Sequence, residues 1–223
     1  MRDKMLPRLV AEFIGTAMLL AAVVGSGIMA ERLAGGNTAI ALLANTIATG
    51  AALVALILTF APISGAHFNP AVTLSEAING AIKWKDASGY VFAQTIGALG
   101  GVAVANLMFE LPVYFPSTKA RTGISQWLGE FVATFGLIAV IAGCSRLQKA
   151  VVVPFAVAAY ITAAYWFTSS TSFANPAVTI ARSFSDTFTG IRPIDAPGFI
   201  AAQLLGAIVA TVIFRWLIRP EKI

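Results

Sequence analysis

Two asparagines head the residues in this chain that could do chemistry. Asn69 opens Asn69-Pro70-Ala71 within SGAHFNPAVTLSEAI, and Asn175 opens Asn175-Pro176-Ala177 within STSFANPAVTIARSF. Asn is a strong helix N-cap, and Pro at the first helical position gives up only an N–H that has no intrahelical partner. Each tripeptide therefore predicts the start of a short helix. Two acids, Glu12 and Glu130, sit inside apolar runs, where an ionisable group is expensive and is a functional candidate by default. His67 is the sole histidine; we read it as bracing its loop rather than as a pH gate. Cys144 is the sole cysteine, which rules out an intrachain disulfide and reads as core filler. With no second histidine, cysteine pair or carboxylate cluster, no metal site is expected. No nucleophile, base and orienter can be grouped, so an enzyme is not expected, and no cofactor is implied.

The elements that hold these residues are apolar. The chain is 58% hydrophobic, 11% charged and has a mean hydropathy of +0.82, outside the range of soluble domains. An all-α integral membrane protein is predicted, with spans at roughly 9–30, 38–63, 87–109, 124–144, 150–171 and 196–218, each near the ~20 residues needed to cross ~30 Å of hydrocarbon. The first run is too long for a signal-peptide core and carries Glu12, so it is expected to be retained. Ten cations fall on the side of the termini: Arg2, Lys4, Arg8, Lys83, Lys85, Arg146, Lys149, Arg215, Arg219 and Lys222. Five fall on the other: Arg32, Lys119, Arg121, Arg182 and Arg192. The bias places both termini in the cytoplasm. It also accounts for the net charge of +5 without a nucleic-acid partner.

The chain repeats itself, from about 8–110 and again from 124–218, within a single domain of 1–223. AEFIGTAMLLAAVVGSG from Ala11 matches GEFVATFGLIAVIAGCS from Gly129, and AQTIGALGG from Ala93 matches AQLLGAIVA from Ala202. The intervals are 118 residues for Glu12 to Glu130, 106 for Asn69 to Asn175 and 109 for Gln94 to Gln203. Three spans separate equivalent elements, so the second half enters from the opposite face: an inverted repeat. The helices after each Asn-Pro-Ala, about ten residues and ~15 Å, are too short to span alone. Inverted symmetry brings them tip to tip near the midplane, with both positive ends facing one spot. The irregular backbone leading in, 64–68 and 171–174, is tolerated at membrane depth only where protein buries it or water wets it.

These features together make the chain resemble the aquaporin and glycerol-facilitator family, the major intrinsic proteins, over essentially its whole length. The resemblance implies six transmembrane helices and two re-entrant half-helices in a right-handed bundle, a homotetramer with one pore per subunit, and passive flow of water and small neutral solutes without protons or ions. It implies that Glu12 and Glu130 accept bonds from the re-entrant loops. Carbonyls of Gly65, Ala66 and His67, and of Thr171, Ser172 and Phe173, would replace part of a solute's hydration shell, and the two Asn amides would orient its central oxygen.

Counting from the matched Asn residues, the family's selectivity filter falls on Thr49, Ala163, Ser172 and Val178. The family usually has Arg at the last of these; this ring is expected to be small, uncharged and partly hydroxylated. Arg-less channels of this kind resemble a bacterial branch associated with arsenic resistance, which implies glycerol-like polyols and uncharged metalloid acids as cargo and the inner (plasma) membrane as location. Arg182, one turn beyond Val178, could reach back toward the filter; we expect it instead to pair with Asp186, at i+4, on the wet outer surface. Gly15, Gly97, Gly100, Gly101 and Gly206 are expected to let helices approach closely. Residues 111–124 read as an outer loop that could fold over the mouth. A secondary transporter and a closed, structural protein are the rival classes; saturable gradient-coupled uptake, or no flux at all, would mark them.

Overall fold

The computed structural model describes residues 5–145 and 151–218. Of the cations that set the predicted orientation, Arg2, Lys4, Arg146, Lys149, Arg219 and Lys222 lie outside the described residues. Eight helices follow in chain order among those described: α1 (Met5–Leu33), α2 (Thr38–Ser64), α3 (Pro70–Ile78), α4 (Trp84–Met108), α5 (Ile124–Ser145), α6 (Val152–Phe167), α7 (Pro176–Arg182) and α8 (Ala196–Leu217). Five of them are long and apolar enough to cross a membrane. The sixth expected span is shorter: α6 has 16 residues, because Thr168 leaves the helix in an extended conformation and residues 168–175 become the approach to Asn175.

Local chemistry sets the breaks. Asn37 caps α2 by accepting from the backbone N–H groups of Ala39 and Ile40, and Gly65 ends it at φ 91°, a left-handed position that suits a residue without Cβ. The half-helices α3 and α7 begin at Asn69 and Asn175, whose side chains accept from the first helical N–H groups, with Pro at the first position of each.

Packing repeats as the sequence does. α1 packs on α4 and α2, while α5 packs on α8 and α6. A Cβ at Gly97 would collide with the Phe13 carbonyl, and one at Gly206 with the Phe131 carbonyl. These are equivalent contacts in the two halves, and they let backbones touch in a solvent that gives helices little hydrophobic reason to associate. Gly100 has no such neighbour and plays no part in this contact. Large apolar side chains such as Met18, Ile47, Phe92, Leu128, Leu205 and Trp216 cover the outside. The interior holds instead a set of buried polar residues around α3 and α7, among them Glu12, Gln94, Glu130 and Gln203. Cys144 is half-buried near the end of α5 rather than in the core.

Candidate functional site

The two asparagines meet. Asn69 Oδ1 accepts from Ala71 N at 2.9 Å, and Asn175 Oδ1 from Ala177 N at 3.0 Å and Val178 N at 3.2 Å. Their amide nitrogens then cross between the loops: Asn69 Nδ2 donates to the Ala174 carbonyl at 2.7 Å and Asn175 Nδ2 to the Phe68 carbonyl at 2.8 Å. A carboxamide nitrogen has two N–H groups, so each asparagine keeps a second donor after this cross-link. Both residues line a cavity of about 310 Å³.

The loops that present them are held in costly conformations. Ala66, Phe68, Thr171, Ser172 and Ala174 all have φ between 48° and 61°. Non-glycine residues there cost ~1–2 kcal/mol each, and such outliers persist only where their surroundings over-determine them. The 106-residue interval that relates the asparagines also pairs Ala66 with Ser172 and Phe68 with Ala174. Glu12 and Glu130, both fully buried, supply the restraint. Glu12 accepts from His67 N at 3.0 Å, Phe68 N at 2.7 Å and the Ser64 hydroxyl at 2.6 Å. Glu130 accepts from Phe173 N and Ala174 N, each at 2.8 Å. Gln94 and Gln203 complete the pattern, each donating to its glutamate and to a threonine, Thr73 or Thr179, of the half-helix. His67 ties to the same network through a 3.0 Å contact between Nδ1 and the Thr73 hydroxyl, and it lines the cavity.

The cavity extends from Glu76, Ser145 and Val153 at one end, past both asparagines, to Thr49, Tyr165 and Arg182 at the other. One wall is polar, built from residues 65–69 and 172–175 of the irregular loops; the facing wall is aliphatic, with Leu19, Val23, Leu53, Ile57, Leu137, Ile141, Val157 and Ile161. Thr49, Ser172 and Val178 line it, as do Gly65, Ala66, His67 and Phe173. The Ser172 hydroxyl is buried and has no hydrogen-bond partner.

Three sequence expectations are corrected here. Ala163 is exposed on α6 and does not reach the cavity. The face of α6 that does is Val157, Ile161 and Tyr165, at four-residue spacing; a residue two positions from Ile161 and Tyr165 points the other way on a 3.6-residue helix. The Tyr165 hydroxyl lies 3.3 Å from Thr49 Oγ1. A fixed offset from Asn175 missed it; the α6 periodicity could have found it. Thr171 is likewise absent from the lining, its hydroxyl meeting Arg121 Nη1 at 3.4 Å.

Arg182 is the third. It is 2% exposed and lines the cavity rather than pairing with Asp186 on the surface. Its Nε donates to the Thr189 carbonyl and its Cζ lies 3.3 Å from the centre of the Phe173 ring. Among the described residues its Nη groups have no hydrogen-bond acceptor. The ring of side chains at this end is therefore neither uncharged nor small. Asp186 is occupied elsewhere: it accepts from Thr118 N at 2.9 Å, from the Thr118 hydroxyl and from Ser117, and the Thr118 N–H holds its carboxyl below the usual range. With Phe115 N bonded to Phe184 O and Arg192 N to Lys119 O, this pins the 111–123 loop onto the segment following α7. Arg121 turns inward from that loop, donating to the Gly190 and Ser170 carbonyls, with Cζ 5.2 Å from the same Phe173 ring.

Comparison with known proteins agrees with this architecture. The sequence matches the description "Major intrinsic protein" twice, over residues 2–150 and 118–222. The chain belongs to the major intrinsic protein family. This major intrinsic protein is 57% identical over 215 residues to the aquaglyceroporin AqpS of Rhizobium meliloti, covering 96% of this chain and 91% of that protein. It is 30% identical over 215 residues to a probable NIP-type aquaporin of Nicotiana alata, covering 93% and 78%. Its fold superposes on the crystal structure of the Plasmodium falciparum aquaglyceroporin with a TM-score of 0.77, at 20% identity, covering 97% of this chain and 98% of that one. It is a multi-pass membrane protein of a channel family, not an enzyme.

Proposed function

We propose that this chain is a passive channel conducting water and small neutral hydroxylated solutes through one pore per subunit, while excluding protons and ions. The observation that carries the reading is the cross-linked pair of asparagines on a continuous cavity. Each offers one remaining N–H to a passing oxygen, and that oxygen is then unable to accept a proton from the next molecule in file. The positive ends of α3 and α7 meet at the same place and raise a barrier to cations. Opposite the donors and carbonyls lies an aliphatic wall, which suits solutes with a hydroxylated edge and an apolar back.

Selectivity is assigned to Thr49, Tyr165, Ser172, Val178 and Arg182. Ser172 has a buried hydroxyl without a partner and Arg182 has unbonded Nη donors, so a hydroxylated cargo supplies what the protein leaves unmet. Arg182 reaches the cavity from one turn beyond Val178 and takes the part of the family's filter arginine. The similarity to a protein named an aquaglyceroporin supports glycerol-like polyols as cargo. Uncharged trihydroxy acids of metalloids, such as arsenite, and methylated arsenicals share that hydrogen-bonding pattern. We place the single domain in the inner (plasma) membrane with both termini cytoplasmic, as a homotetramer whose pores are intrinsic to each subunit.

Stopped-flow light scattering on proteoliposomes tests this, comparing water, glycerol, urea and arsenite. Water, glycerol and arsenite should all equilibrate faster than in empty vesicles, without saturation. Accelerated water flux with glycerol and arsenite at background would overturn the solute assignment.

A further inference from the structure

The interval that relates Asn69 to Asn175 also relates Glu76 to Arg182, each seven residues past its asparagine. Seven residues is close to two helical turns, so both point along the face their asparagine opens, ~10 Å toward opposite ends. Both line the cavity. The duplication has kept the position and reversed the charge. Arg182 is anchored by Thr189 and the Phe173 ring. Glu76 has no counterpart to these restraints: among the described residues no hydrogen bond or ion pair reaches its carboxylate, and it is half-buried in the wall. An unpaired carboxylate at that depth is costly for stability, which calls for a role.

The field along the lumen supplies one. The two half-helix N-termini and Arg182 are positive, and with His67, Tyr165 and Glu76 they make up the ionisable and helix-end groups on the lining among the described residues. That arrangement repels cations but attracts small anions. Among the described residues Glu76 is the one carboxylate on the lining. We infer that Glu76 is a specificity-determining residue that turns small anions away from a lumen whose other fixed charges and dipoles draw them in. The inference rests on the cavity being the conduction path.

The probe is nitrate, which has no neutral form near pH 8. Full-length protein is reconstituted in liposomes, and potassium nitrate influx is followed by swelling with valinomycin present to carry the counter-ion. Water permeability is measured on the same vesicles. The unaltered protein should admit nitrate no faster than empty liposomes. Glu76→Gln, which keeps size and polarity, should raise nitrate flux at least about tenfold, with water permeability within twofold. Glu76→Asp, which keeps the charge, should leave nitrate excluded, and Glu76→Ala gives the same readout as Gln should that variant insert poorly. Nitrate flux in Glu76→Gln and Glu76→Ala equal to that of the unaltered protein, with water flux intact, overturns the inference alone. Unaltered protein that passes no water overturns the conduction reading, and this inference falls with it.

Discussion

Replacing Glu130 by Gln tests whether the carboxylate is what holds the second re-entrant loop. Each carboxylate oxygen is committed: one accepts from Phe173 N, the other from Ala174 N and Gln203 Nε2. A carboxamide keeps one acceptor oxygen and puts an NH2 where the other stood. Gln203 can adapt by turning its own amide, since its Oε1 has no partner now. A backbone N–H cannot turn, so the amide of Ala174 or of Phe173 is left facing a donor. One orphaned buried N–H costs ~1–3 kcal/mol, and at ~2–4 °C per kcal/mol for a chain of this size the melting temperature should fall by roughly 2–12 °C. Function should fall with it, because the Ala174 carbonyl is the acceptor that fixes the Asn69 amide, and Ala174 is itself held at φ 48°. Thermal unfolding by tryptophan fluorescence in detergent, paired with stopped-flow water permeability, reads both effects. An unchanged melting temperature with full water flux would refute the bracing argument; unchanged stability with altered proton flux would point to a relay instead.

Other residues test neighbouring parts of the site. Ala163→Leu should leave glycerol and water flux unchanged because that side chain is exposed on α6, whereas Tyr165→Ala should raise glycerol flux severalfold in the same swelling assay. Val178→Arg should cut glycerol more than water by adding a second guanidinium one turn from Arg182; Arg182→Ala should raise the flux of larger solutes, and equal selectivity in both variants would remove these positions from the filter. Gly206→Leu drives a side chain into the Phe131 carbonyl and should cost at least ~1–3 kcal/mol, seen as a lower melting temperature, with Gly100→Leu as the tolerated control. For pH, the lowered carboxyl of Asp186 means its tie to Thr118 adds stability above the unfolded value of 3.8 and loses it as pH falls through the lower folded value. Hydrogen exchange at residues 115–119 should therefore stay flat from pH 8 to about 5, after correction for intrinsic rates, and protection should drop only below about pH 4.

Composition and local grammar reach far into this protein. A mean hydropathy of +0.82 demands a membrane, and twofold Asn-Pro-Ala demands two capped half-helices. The repeat intervals already imply the inverted halves, because an odd number of spans between equivalent elements reverses direction. These features are legible since each depends on near neighbours in sequence or on a solvent that constrains every residue alike. What only the tertiary structure decided is which side chains meet across the lumen. Tyr165 against Thr49, and Arg182 over Phe173, join α6 to α2 and α7 to its own approach loop. Their placement depends on the rotation of each helix about its axis, and a fixed residue offset does not encode that rotation. Ala163 and Tyr165 are two positions apart and face opposite ways, so an error of two residues exchanges an exposed surface for the pore. Asp186 shows the same limit: α7 ends at Arg182, so Asp186 lies off the helix, and it is taken by Thr118 from a loop 68 residues away. Long-range competition for a charge is settled only once the chain has folded, because the nearest partner in sequence yields to the one whose backbone N–H is already aimed.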